Sequence, residues 1–113
     1  MKLKYDFPKE VRLLYLGHWR CFLCGSNGTT KGGLEIHHIL GRVSDSAFNS
    51  SCLCRQCHAG ICHNDGEHQT IFFQTLTYLK SINYKPSEKD WAFLEEHIKE
   101  LVGNNKNQLL ELL

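Results

Sequence analysis

Apolar residues alternate with polar, glycine-bearing stretches along the whole chain. In DFPKEVRLLYLGHW (6–19), Val11, Leu14 and Tyr15 fall on one face at i, i+3, i+4 and predict a short helix. Asp6 or Phe7 takes its cap, Pro8 its first turn, and Gly17 its stop. CFLCG (21–25) leads into the polar SNGTTKGG (26–33), which reads as a turn. LEIHHIL (34–40) has the length and apolar content of a strand, although it carries two titratable rings. GRVSDSAFNSS (41–51) reads as a loop, CLCRQCHAGICH (52–63) follows, and HNDG (63–66) reads as a helix stop.

The second half is simpler. QTIFFQTLTYLKSI (69–82) predicts a helix, with its Thr and Phe content leaving strand as the alternative. Ser87 with Asp90 forms a capping box in its Asp form at the head of SEKDWAFLEEHIKELVG. Trp91, Leu94, Ile98 and Leu101 then repeat at helical spacing and predict a buried stripe, which Gly103 ends. NNKN (104–107) reads as a linker. The apolar tail QLLELL (108–113) is expected to pack on the core, with a homodimer contact as the alternative. No internal repeat is visible.

A chain of 113 residues predicts one domain, an α+β unit with a core small enough to need a staple. No basic start leads into an apolar stretch and no run approaches a membrane span, so a cytoplasmic protein without a membrane partner is expected. Charge refines this picture slightly. Residues 1–58 carry eight Lys and Arg against four Asp and Glu, a net +4, whereas residues 59–113 carry five against eight, a net −3. An anionic partner would therefore meet the first half.

The staple is legible in the cysteines. Cys21-x-x-Cys24 and Cys54-x-x-Cys57 form two knuckles separated by 29 residues. Two intervening residues let both sulfurs of a knuckle reach one ion from a tight turn, and four thiolates are a closed tetrahedral set for structural zinc. The gap leaves room for a β-hairpin. A disulfide framework is the alternative, disfavoured in a reducing compartment. Cys52 shares a strand face with Cys54 and reads as a small buried hydrophobe.

His37 and His38 are adjacent in the strand, so their side chains point to opposite faces and suit different tasks. His58 follows Cys57, so the knuckle fixes where it starts. Together, LEIHHILGR and FNSSCLCRQCH resemble the HNH endonucleases over about residues 12–63, in the variant with two CxxC knuckles around the hairpin. The resemblance implies a ββα-metal core, also called a His-Me finger, to which the helices read above add an N-terminal helix and a C-terminal helical extension over 67–113. It implies DNA as substrate, with RNA not set apart. His38 would be the general base, and Asn49 would orient the loop and hold His38, or bind the metal. His37 and His58 would hold a catalytic divalent ion (Mg²⁺, Mn²⁺, Ni²⁺ or Zn²⁺), and Cys21, Cys24, Cys54 and Cys57 the structural zinc. Arg42 sits where a cation could meet the substrate phosphate. Many relatives carry a further His four residues after the one equated with His58. That place is Cys62 here, which leaves Cys62, His63 or water as the third ligand.

His18, His68 and His97 match no motif and read as surface or packing residues. Two further functions compete. One is a non-catalytic zinc module that binds nucleic acid or protein, for which His38 and Asn49 are dispensable. The other is a redox or metal sensor using Cys52 and Cys62. No Arg- or Lys-rich recognition helix is visible, so sequence-specific readout is not expected.

Overall fold

In a computed structural model, which describes residues 7–16, 20–27, 33–60 and 65–112, the fold is α+β. The chain order is α1 (Lys9–Leu13), β1 (Leu34–His38), a 3-10 turn (Ala47–Asn49), β2 (Ser50–Cys54), α2 (Arg55–Gly60), α3 (Asp65–Ser81), α4 (Glu88–Glu96), α5 (Ile98–Val102) and α6 (Lys106–Leu112). The two strands pair antiparallel, with Leu34 opposite Cys54, Ile36 opposite Cys52 and His38 opposite Ser50.

β1 stops two residues earlier than its apolar run. The Leu40 N–H leaves the ladder for the Asn49 side chain, and Gly41, at φ +80°, turns the chain away. Pro8 is the N-cap of α1 rather than a first-turn residue, and Tyr15 lies beyond the helix yet is buried. Asp6 and Gly17 lie outside the described residues.

α3 is the longest element and the centre of the core. Ile71, Phe72, Thr75, Leu76 and Leu79 form its buried stripe, and it packs against β2, α5 and α6. It begins earlier than the sequence suggests, since Asp65 and Gly66 belong to its first turn rather than to a stop. Each fully buried Leu, Ile or Phe here contributes roughly 1.5–3 kcal/mol. Ser50 ties three segments to the sheet. The Thr75 hydroxyl donates to its carbonyl at 2.7 Å and its own hydroxyl donates to the Ala47 carbonyl at 2.7 Å. That leaves Tyr15 as the donor in the 2.6 Å contact between the Tyr15 and Ser50 hydroxyls.

Both bonds of the Ser87–Asp90 capping box are present. The helix after it is interrupted at His97, which separates α4 from α5. Of the predicted stripe, Leu94 and Leu101 are buried and Ile98 packs against the core, whereas Trp91, near the start of α4, is 42% exposed and meets Phe48 edge-on. His97 pairs with Glu100 and packs on Phe93, as a packing residue would. α6 includes Lys106, part of the expected linker, and buries Leu109 while packing on α3.

Gly103 closes α5 at φ +58° and ψ −125°, and an added Cβ would sit 2.5 Å from the Gln69 amide nitrogen. Gly103→Ala is therefore expected to lower stability by about 1–3 kcal/mol, read as a shift in the urea midpoint. An unchanged midpoint would contradict the strained backbone assigned to this position.

Candidate metal centre and histidine site

The knuckles place four sulfurs in one spot. The Sγ atoms of Cys21, Cys24, Cys54 and Cys57 all lie within 4.8 Å of one another, and Cys24 and Cys54 are 3.9 Å apart. A tetrahedral ion with ~2.3 Å bonds to sulfur sets its ligands roughly 3.8 Å apart. The donor set therefore fits a single metal ion, and four thiolates are the set zinc takes in structural sites. Among the described residues, no other group of three or more His, Cys, Asp and Glu ligand atoms lies so close together.

The local backbone explains the convergence. Leu23 N–H donates to Cys21 Sγ and Cys57 N–H donates to Cys54 Sγ, both at 3.4 Å. Gly25 adopts φ +73°, and its N–H closes the first turn on the Cys21 carbonyl at 2.9 Å. Phe22 N–H donates to the Cys52 carbonyl at 2.8 Å, which straps this turn to β2. Burial pushes the Cys21 thiol up, but backbone hydrogen bonds at Cys24, Cys54 and Leu23 outweigh it and lower the pKa to about 7. Burial and the neighbouring thiols hold Cys57 high instead. Bound metal would remove all four protons. Cys52, 3% exposed and pushed up to about 11 by burial, is the buried hydrophobe expected of it.

The other end of the hairpin holds the histidines. Glu35 and His37 share one face of β1 by the alternation of the strand, and α2 packs across the sheet. The His37 and His58 rings come together there, with centroids 3.8 Å apart and planes tilted by 48°. His58 Nδ1–H donates to Glu35 Oε1 at 3.1 Å, so its Nε2 carries the lone pair. The Arg55 guanidinium lies 3.8 Å from the same carboxylate. Glu35 thus sets the tautomer of His58, as carboxylates behind metal-bound histidines do. Spacing could not assign that role to Glu35, because the contact depends on the hairpin register.

His38 turns to the opposite face. It is 8% exposed and stacks on Phe7, with centroids 3.9 Å apart and planes at 16°. Its Nε2 lies 3.3 Å from Asp45 Oδ1, so Nε2–H donates and the neutral ring keeps its lone pair on Nδ1. Asn49 does not supply this contact, contrary to the first expectation. It is fully buried, and its side chain clamps the connection between the strands. Oδ1 accepts from Leu40 N–H at 3.0 Å, and Nδ2 donates to the carbonyls of Gly41 at 3.0 Å and Ser44 at 2.7 Å. Asn49 therefore ties residues 40–44 to the start of β2. Asn49→Ala strands these groups and should cost about 2–4 kcal/mol in a urea melt. A cost below 1 kcal/mol would mean that water replaces the clamp.

Arg42 lies exposed on the same loop. His63, Cys62 and His18 lie outside the described residues. Among the described residues, no helix is long and apolar enough to cross a membrane. No protein-family model matches the sequence, and comparison with curated proteins and with solved structures gives no match.

Proposed function

We propose that the protein is a metal-dependent endonuclease of the HNH type, hydrolysing DNA phosphodiester bonds. The observation that carries this reading is the meeting of His37 and His58 at 3.8 Å across a hairpin and the helix after it, with His38 next in sequence and oriented by Asp45. His37 and His58 would hold the divalent ion, which when bound supplies positive charge beside the scissile phosphate and the leaving oxygen. Residues 1–58, which carry all of these groups, have the net positive charge a polyanion would meet.

His38 Nδ1 takes a proton from the attacking water. Asp45, accepting from Nε2–H, stabilises the imidazolium that forms. The water oxygen bonds to phosphorus and the bond to the 3′ oxygen breaks; the departing oxyanion takes a proton from solvent, His38 later returns its proton to solvent, and 5′-phosphate and 3′-hydroxyl ends remain. Arg42 would meet the phosphate from the loop. The cysteine quartet, loaded with zinc, would hold the start of α2 and so the position of His58.

One observation favours a second reading, a non-catalytic zinc-stabilised module: Phe7 covers the face of His38 and leaves it 8% exposed. Plasmid nicking separates the two. The nuclease reading expects open-circular product with Mg²⁺, Mn²⁺ or Ni²⁺, none with EDTA, and none with His38→Ala. Absence of cleavage under all metals would favour the module, whereas metal-dependent cleavage that survives His38→Ala would overturn the assignment of His38 as the base.

A further inference from the structure

Asp90 was legible in the sequence only as half of a helix cap, yet it is 1% exposed and its two oxygens face different parts of the molecule. Oδ2 serves its own neighbourhood, accepting from Ser87 N–H at 2.9 Å and from the Tyr84 hydroxyl. Oδ1 faces the hairpin connection, accepting from the Ser46 hydroxyl and from Ala47 N–H at 3.1 Å. Four donors thus converge on one buried carboxylate. Burial, followed by the neighbouring Asp90, pushes the Tyr84 phenol up, so Tyr84 remains a donor.

The hydrogen bonds continue from there to the histidine. The Ser46 hydroxyl, while donating to Asp90, accepts from Phe48 N–H at 3.0 Å. The Ser46 carbonyl accepts from Asn49 N–H at 2.9 Å, and Ser46 N–H donates to Ser44 Oγ at 3.0 Å. The Ser44 carbonyl is held by Asn49 Nδ2. Asp45 therefore stands between two anchored residues, Ser44 and Ser46. Its own side chain is 51% exposed, so it has little packing of its own to fix where its carboxylate points. What fixes it is the backbone on either side.

We infer that Asp90 is a positioning residue for His38: acting through Ser46, it holds the loop that presents the Asp45 carboxylate to the His38 ring. The role in catalysis rests on the nuclease reading; the holding of the loop does not. The C-terminal helices thereby set the geometry of a site built entirely from the first half of the chain.

The test compares Asp90→Asn, Ser46→Ala, the double variant and Tyr84→Phe, all in the full-length protein. Ser46→Ala leaves the capping box intact and removes the hydroxyl link. Tyr84→Phe removes a hydrogen bond from Asp90 without touching the loop. Ser46→Ala and Asp90→Asn should each lower kcat for plasmid nicking roughly tenfold or more with KM nearly constant. The double variant should be little worse than either, because both cut one link. Tyr84→Phe should melt lower but keep kcat within about twofold. In parallel, amide hydrogen exchange at Leu40, whose N–H is bonded to Asn49, should quicken in Asp90→Asn and Ser46→Ala while Leu53 in β2 stays protected. Full kcat in Ser46→Ala, an equal kcat loss in Tyr84→Phe, or unchanged exchange at Leu40 would overturn the inference. If the wild-type protein cleaves nothing, the nuclease reading fails, and the exchange measurement alone decides whether Asp90 holds the loop.

Discussion

His38→Ala should lower the rate of metal-dependent DNA cleavage by roughly 10²–10⁴-fold, the contribution of a positioned general base. The loss should be confined to chemistry. The ring makes one stacking contact with Phe7 and one hydrogen bond to Asp45, so its removal costs a fold of this size about 1–3 kcal/mol. Metal content and far-ultraviolet circular dichroism should therefore match the wild type. Added imidazole should restore part of the lost rate by entering the space between Phe7 and Asp45. Asp45→Asn should fall between the two proteins, because an amide still orients the ring but does not stabilise the imidazolium. Equal rates for wild type and His38→Ala would remove the base from the mechanism.

Withdrawing metal from the cysteine quartet should have the largest effect on stability. Structural zinc in small domains contributes an apparent ~10–16 kcal/mol, against a net stability of about 5–15 kcal/mol for an ordinary domain. A strong chelator, or Cys54→Ser, should therefore unfold the hairpin and α2 together. Titration with a chromogenic chelator should release one zinc per chain as the circular dichroism signal falls. Cys52→Ser is the matched control. Cys52 is as buried as Cys21 but stands outside the quartet, so its loss should cost only a cavity-sized 1–2 kcal/mol. A reducing agent without chelator should change nothing. Unfolding by the reducing agent alone would point to disulfides, and a chelated protein that keeps its melting transition would deny the metal a structural role.

The parts of the fold visible in the sequence are those set by local chemistry. Each CxxC turn admits few backbone arrangements and so presents its two sulfurs together, and the paired strands with the Phe22–Cys52 bond then bring the two pairs to one point. The Ser87–Asp90 box formed because both bonds are made within three residues. Periodicity located α3 and the burial of Leu94 and Leu101, but it misjudged Trp91, which stands near the start of α4 and is 42% exposed, because spacing alone does not say where along a helix the core ends. The site divides in the same way. The opposite facing of His37 and His38 follows from strand alternation. The partners of these rings do not: Glu35, Asp45 and Phe7 meet His58 and His38 only after the hairpin has closed and the N-terminal segment has docked. Asp90 was the hardest to read, since half of its hydrogen bonds reach 43 or 44 residues back along the chain.

The pairing of Ile36 with Cys52 and of His38 with Ser50 has a consequence for fidelity. In a strand, sliding by one residue is a small movement of the backbone but a complete exchange of faces. Here such a slide would send the His38 ring toward α2 and the His37 ring toward Phe7, giving a folded molecule with its two imidazoles interchanged. Both ends of the ladder guard against that isomer. At the closed end, Asn49 grips Ile39 with its carbonyl and Leu40 with its side chain. At the open end, Arg55 N–H reaches the Gly33 carbonyl at 3.0 Å, and Phe22 is fastened to Cys52. The identity of each histidine is thus a matter of alignment, and two latches one hairpin apart preserve it.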